Sequence, residues 1–208
     1  VYHGVDKKIF RPINKNKVFN LLNKTKLKDK LKSIRSADKI ILSVANDTER
    51  KNTQRIYEAF AKYLNKNPNA LLIRVVSIPN EKIISEQSGK FKDRIIFLYG
   101  LSDNEMGLLY NIADLTIFPS LGEGFGLPLL ESISCGTPCV TSNFPPMTEV
   151  IGDSGVLVNP YEVDSIYEGI IECLKNRNKL SGRALKRSEF FSIEKNFQKT
   201  HNIYKSLV

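Results

Sequence analysis

Absences narrow this sequence first. No apolar run approaches the roughly 20 residues that a membrane-crossing helix needs, which argues against a helical membrane protein. Three cysteines in 208 residues, at Cys135, Cys139 and Cys173, are too few and too scattered for a disulfide framework. Cys135 and Cys139 can share a helix-to-strand corner, but no other cysteine or histidine stands near them in sequence. Reduced, buried thiols in a cytoplasmic protein are therefore expected, rather than a metal centre. Low-complexity tracts, internal repeats and evident linkers are absent, so neither a disordered chain nor a repeat array fits. No signal peptide is visible, and the chain starts at Val1 rather than at a methionine. The expectation is the second half of something longer, with any targeting information outside it.

What is present points to a soluble α/β protein with an anionic partner. Hydrophobic residues make up 41% and charged residues 25%, the balance of a globular domain. The net charge of +9 favours a nucleotide, an acidic membrane surface or a nucleic acid as partner. Part of that charge is bland. Lys24, Lys26, Lys28, Lys30 and Lys32 alternate through a segment with few aromatics, as a solvated helical face does, and this speaks against nucleic acid.

Apolar periodicity predicts strands near 40–45, 71–78, 94–99, 115–118, 138–141 and 155–158. Helices are predicted over 18–34 (one or two), 55–64, 81–88 (ended by Gly89), 106–113 after an N-cap at Ser102, 125–134, 147–151 and 163–175. Two more follow over 180–208, broken near Phe191-Ser192. Six short buried strands alternating with helices specify one doubly wound, Rossmann-like parallel sheet spanning 1–208, with helices on both faces. Residues 1–12 read as an extended lead-in.

In such sheets ligands bind beyond the carboxyl ends of the strands. Three stretches lie there. Asn46-Asp47-Thr48-Glu49-Arg50-Lys51-Asn52 puts cations at a helix entrance, against the helix dipole; they read either as an anion site or as two surface charges. Ser120-Leu121-Gly122-Glu123-Gly124-Phe125-Gly126-Leu127-Pro128-Leu129-Leu130-Glu131 offers two separated carboxylate acceptors for sugar hydroxyls, with backbone amides between them for an anion. Glycines at a strand-to-helix corner also serve packing alone. Glu131 sits among apolar residues, so its carboxylate is partly buried unless something pairs with it. Asn143 to Glu149, with Pro145-Pro146, can form a wall beside the cleft.

Several segments occur in a telling order. His3-Gly4-Val5-Asp6 leads, with Phe10 and Pro12. Ser43-Val44-Ala45-Asn46, Arg50-Lys51-Asn52 and Phe97-Leu98-Tyr99-Gly100 follow. Ala113-Asp114-Leu115 then runs through Pro119-Ser120 into Glu123 to Glu131, an E-x7-E element. Gly136-Thr137-Pro138-Cys139-Val140 and Glu149-Val150-Ile151-Gly152 close the series. In this order, over nearly the whole chain, the sequence resembles the C-terminal, nucleotide-sugar-binding half of a GT-B glycosyltransferase of the retaining family 4 type.

The resemblance implies roles and partners. Glu123 accepts hydrogen bonds from donor-sugar hydroxyls, and Glu131 holds the ribose. Backbone around Gly124, Phe125, Gly126 and Leu127 contacts sugar and diphosphate, near Ser120. Lys51 binds the diphosphate. Many relatives carry an arginine where this chain has Asn46, and Arg50 is the expected substitute. The donor is a UDP-, GDP- or ADP-linked sugar. The chain has no D-x-D triplet, the usual metal-holding signature of the other large glycosyltransferase fold, and no metal or cofactor is expected. Residues 1–12 lead in from an N-terminal acceptor-binding domain of the same protein, and residues 192–208 return toward it. The acceptor is a glycan or lipid-linked molecule, with peripheral membrane association open. A sugar-nucleotide epimerase, a phosphorylase and a degenerate, partner-binding domain stay as alternatives.

Overall fold

The computed structural model describes residues 3–206, and the backbone alone at position 195. In chain order the elements are α1 (Lys15–Leu22), α2 (Leu31–Ser36), β1 (Lys39–Val44), α3 (Thr53–Lys66), β2 (Ala70–Val75), α4 (Glu81–Phe91), β3 (Ile95–Leu98) and α5 (Asp103–Ile112). They continue with β4 (Leu115–Phe118), α6 (Leu127–Ser134), β5 (Cys139–Ser142), α7 (Met147–Ile151), β6 (Gly155–Val158), α8 (Val163–Lys175), α9 (Arg177–Ser188) and α10 (Ile193–Lys205). The strands form one sheet in the order β3-β2-β1-β4-β5-β6, with every pairing parallel. The predicted doubly wound α/β architecture is the one observed.

Strand alternation builds two cores. Ile40 and Leu42 of β1 and Leu71 and Ile73 of β2 face α1, α2, α5, α6 and α7. Their sequence neighbours Ile41 and Leu72 face α3 and α8. A strand buried on both faces has no polar side to alternate, which is why these runs are apolar throughout. Ser102 caps α5 with a reciprocal capping box to Glu105, as its spacing predicts.

Four departures from the sequence expectation have a clear physical cause. α4 runs through Gly89 to Phe91, because Phe91 is buried against Tyr57 and Phe60 and that outweighs the ~1 kcal/mol cost of a helical glycine. β2 stops at Val75, where its neighbours β1 and β3 also run out of partners. α6 starts at Leu127 instead of Phe125, because Gly126 turns the chain at φ +94°. The lysine-rich segment is no single helical face: α1 ends at Leu22, and a turn held by the Thr25 hydroxyl leads into a short 3-10 helix. All five lysines are nonetheless exposed.

The lead-in and the tail meet. Val5 pairs with Ser192, and a Cβ on Gly4 would stand 2.3 Å from the Ile193 nitrogen, so only glycine permits this crossing. Val1, Tyr2, Leu207 and Val208, the outer ends of those two predicted segments, lie outside the described residues.

One buried charge shapes the loop after β1. Arg74, in the middle of an apolar strand, is fully buried. Its guanidinium donates to Ser43 Oγ at 2.6 Å, to the Ala45 carbonyl at 2.9 Å, to Asp47 Oδ1 at 2.8 Å and to the Tyr57 hydroxyl at 3.3 Å. It thereby ties the end of β1 and the start of the next loop to β2 and α3. Arg74→Leu leaves Asp47 buried without its cation and is expected to cost about 3–5 kcal/mol in urea unfolding. Adding Asp47→Asn is expected to recover part of that loss.

Candidate functional site

The strand order reverses between β1 and β4. The chain leaves these neighbours in opposite directions, which opens a crevice beyond their carboxyl ends. The two loops bordering it are the two that carry the predicted charges. After β1 the chain makes a 3-10 turn over Glu49–Lys51, and Asn52 follows in the left-handed region at φ 57°. Asn52 is buried, and its side-chain amide donates to the Pro119 carbonyl at 2.9 Å and to the Pro160 carbonyl at 2.7 Å. Arg50 and Lys51 therefore sit just before α3 rather than inside its first turn.

Across the crevice the loop after β4 answers them. Lys51 Nζ donates to Glu123 Oε1 at 2.6 Å, and Arg50 Nη1 reaches Glu123 Oε2 at 3.2 Å. Ser120 Oγ lies 2.6 Å from Glu123 Oε1. The backbone joins in: Leu121 N–H donates to the Arg50 carbonyl at 2.8 Å, and Arg50 Nη1 to the Gly122 carbonyl at 2.6 Å. The Glu123 side chain keeps 9% of its surface and Lys51 17%, against 57% for Arg50. Of the two cations, only Arg50 is the exposed charge that the simpler reading allowed. Lys51 also lies 4.9 Å from the Phe118 ring centre, in cation–π range.

The same loop then delivers amides. Gly126 caps α6 from a left-handed conformation, and Pro128 occupies its first turn. No described residue accepts a hydrogen bond from the Gly126 or Leu127 N–H, so these donors stand at the positive end of the helix. Phe125 is clamped by rings from both chain segments that cross nearby: His3 at 5.1 Å and Phe191 at 5.9 Å between centroids. Gly124 is exposed, with nothing within 4 Å of a notional Cβ.

Glu131 lies one turn into α6 and lines a cavity of about 390 Å³ with Val44, Val75, Ser77, Leu101, Met106 and Leu127. Its Oε2 accepts from the Tyr110 hydroxyl at 2.7 Å. Burial pushes its carboxyl up to about 7; the Tyr110 hydrogen bond lowers it and Asp103 raises it further. Tyr110 is itself pushed well above its ordinary value, by burial first and the Glu131 charge second.

Asn46 stands apart from the charges. Its side-chain oxygen accepts from Ser77 N at 2.7 Å and Ile78 N at 3.3 Å, fastening the loop after β1 to the chain beyond β2. The stretch from Asn143 to Glu149 follows β5, one strand further from the crevice. The three cysteines are free and buried; burial pushes Cys135 and Cys139 up to about 12 and Cys173 higher still. Among the described residues no three His, Cys, Asp or Glu side chains group to hold a metal ion. Sequence reasoning missed Tyr110 and Arg74, and gave Asn52 no role of its own. A phenol on the apolar face of α5 and an arginine inside an apolar strand were the available signals.

Known proteins resemble this chain in sequence and in fold. Residues 24–187 match the family described as "Glycosyl transferases group 1". The chain is 34% identical over 164 residues to the serotype-specific mannosyltransferase WbdA of Escherichia coli, which covers 74% of this chain and 20% of that protein. This chain thus spans about a fifth of that relative. Among solved structures, it superposes on the C-terminal domain of the glycosyl transferase group 1 protein LpcC from Francisella tularensis with a TM-score of 0.73 and 23% identity, covering 90% of this chain and 97% of that one. Anabaena HepE, solved with UDP and glucose, matches with a TM-score of 0.82 and 20% identity over 99% of this chain and 56% of that one. With the family match, these likenesses fit the C-terminal half of a GT-B glycosyltransferase, and the chain belongs to the glycosyl transferases group 1 family.

Proposed function

We propose that this chain binds the nucleotide-sugar donor of a glycosyltransferase, and that an N-terminal acceptor-binding half of the same protein completes the active site. The supporting observation is the Lys51–Glu123 contact at 2.6 Å, set beside unbonded amides at the start of α6 and followed by Glu131 at a cavity. In this reading the nucleoside enters the cavity and its ribose hydroxyls donate to Glu131. The diphosphate lies at the Gly126 and Leu127 amides and faces Arg50 and Lys51. Sugar hydroxyls donate to Glu123. Gly124 and Phe125 border the sugar, Ser120 orients Glu123, and Asn46 shapes the loop that carries the cations.

The chemistry follows from charge. Breaking the anomeric bond puts negative charge on the departing diphosphate, and fixed cations with helix amides stabilise that charge without reorganising. Glu123 positions the sugar and is no nucleophile, and transfer proceeds with retention of configuration. A UDP-, GDP- or ADP-linked hexose fits, and mannose is the sugar named in the Escherichia coli relative. Exposed Ile193, Phe197, Ile203 and Tyr204 on α10 give the N-terminal half an apolar face to cover. No helix among the described residues is long and apolar enough to cross a membrane. A lipid-linked acceptor would then be met from the surface, where the net charge of +9 favours anionic lipid.

A thermal-shift screen of UDP-, GDP- and ADP-sugars tests the reading, since a ligand of the folded state raises its stability; no shift with any of them counts against it. Calorimetry with the bare diphosphate of the donor it selects should show Lys51→Ala weakened about tenfold or more, the equivalent of one charge-assisted contact. Glu123→Gln removes the negative partner of Lys51, so the bare nucleotide should bind as well or better while the nucleotide sugar binds less well. Glu131→Ala should weaken both. Equal loss of bare nucleotide in the two glutamate variants would contradict this division.

A fourth expectation concerns stability. With a folded value of about 7 against an ordinary 4.5, the native state holds a proton that the unfolded chain releases between those limits. Glu131 therefore makes stability fall as pH rises through that window. Urea unfolding between pH 5 and pH 7.5 should show wild type losing stability relative to Glu131→Gln.

A further inference from the structure

The polar geometry around Glu131 is one-sided. Oε2 accepts from the Tyr110 hydroxyl at 2.7 Å, and no described residue donates to Oε1. Tyr110 is completely buried on α5, locked on one side by the Phe10 ring at 6.1 Å. Its backbone is held as well, since its carbonyl accepts from the Thr137 hydroxyl at 2.6 Å. The phenol is thus a fixed post with one hydrogen to donate and one acceptor in front of it. Apolar side chains of β1, β2 and α6 line the cavity that Glu131 reaches.

We propose that Tyr110 is a positioning residue of the nucleoside site: its hydroxyl fixes Oε2 of Glu131 and so presents Oε1 to the cavity as the acceptor for a vicinal diol. The inference rests on the reading of Glu131 as the ribose contact. A ribose diol offers two hydroxyl donors to one carboxylate, and an unheld carboxylate could swing away from both. Tyr110 removes that freedom and also stabilises the charged, accepting form of the group. The other ionisable groups around the pair are Asp103 at the start of α5, which raises Glu131, and the thiols of Cys135 and Cys139, which stay neutral.

Tyr110→Phe removes one oxygen and keeps the ring, and two measurements on this chain decide the matter. The first is the carboxyl carbon of Glu131, followed by NMR against pH without ligand. Its midpoint should rise by roughly one pH unit in the variant, and an unchanged midpoint overturns the proposal. Should the variant fail to fold, wild-type sequence made with 3-fluorotyrosine, a stronger donor, should lower the midpoint, and no movement there overturns it equally.

The second measurement is calorimetry with UDP, GDP and ADP and their 2′,3′-dideoxy analogues near pH 7. Tyr110→Phe should weaken the ribonucleotide that binds by fivefold or more and leave its dideoxy analogue unchanged; equal loss on both overturns the proposal. If wild type fails to distinguish ribo from dideoxy while the NMR midpoint still moves in the variant, the ribose reading of Glu131 falls. The hold of Tyr110 on the carboxylate survives that result.

Discussion

The divergence of the chain at the β1–β4 boundary is the constraint on which the site depends. A connection leaving β4 on the same side as that from β1 would fill the crevice. Here β1 and β4 are paired through Ile41–Leu115 and Leu42–Thr116, and their loops part above that pairing. The charges then close the gap. Residues 72 positions apart in sequence meet as an ion pair, and a backbone hydrogen bond from Leu121 to Arg50 runs beside it. The two loops behave as one wall.

Three ionisable groups inside this molecule illustrate three solutions to one electrostatic problem. Arg74 is fully buried and fully answered, with four acceptors around one guanidinium. Glu123 is nearly buried and answered by two cations. Glu131 is answered by a single neutral hydroxyl, which lowers its carboxyl too little to offset burial, and burial raises it to about 7. The first arrangement rigidifies a loop. The other two are the carboxylates that the proposed function assigns to a ligand, and they occupy opposite ends of one eight-residue spacing.

Much of this was legible beforehand, for identifiable reasons. The strands could be read because burial on both faces leaves continuous branched runs such as Ile40-Ile41-Leu42, and four predicted elements, at 115–118, 147–151, 155–158 and 163–175, match residue for residue. The site loops could be read because glycines, carboxylates and cations crowd where strands end. What escaped were contacts between residues far apart in sequence. Tyr110 to Glu131, Arg74 to Asp47 and Asn52 to Pro160 each depend on which helix face meets which strand end, and local periodicity carries no record of that. The Lys51–Glu123 pair belongs with them: the sequence assigned the two residues separate roles, and the structure joins them directly.

The hydroxyl of Ser120 carries one proton, yet three acceptors lie within reach: Glu123 Oε1 at 2.6 Å, the Arg50 carbonyl at 2.9 Å and the Gly122 carbonyl at 3.3 Å. Only one of them can receive it at a time. Swivelling the O–H bond from the carboxylate to the Arg50 carbonyl frees a lone pair on Glu123 and leaves every heavy atom in place. An incoming donor hydroxyl can therefore be accommodated by a rotation of one light atom, with no rearrangement of the loop. For the proposed sugar contact, that makes Ser120 a hydrogen-bond reservoir beside the carboxylate.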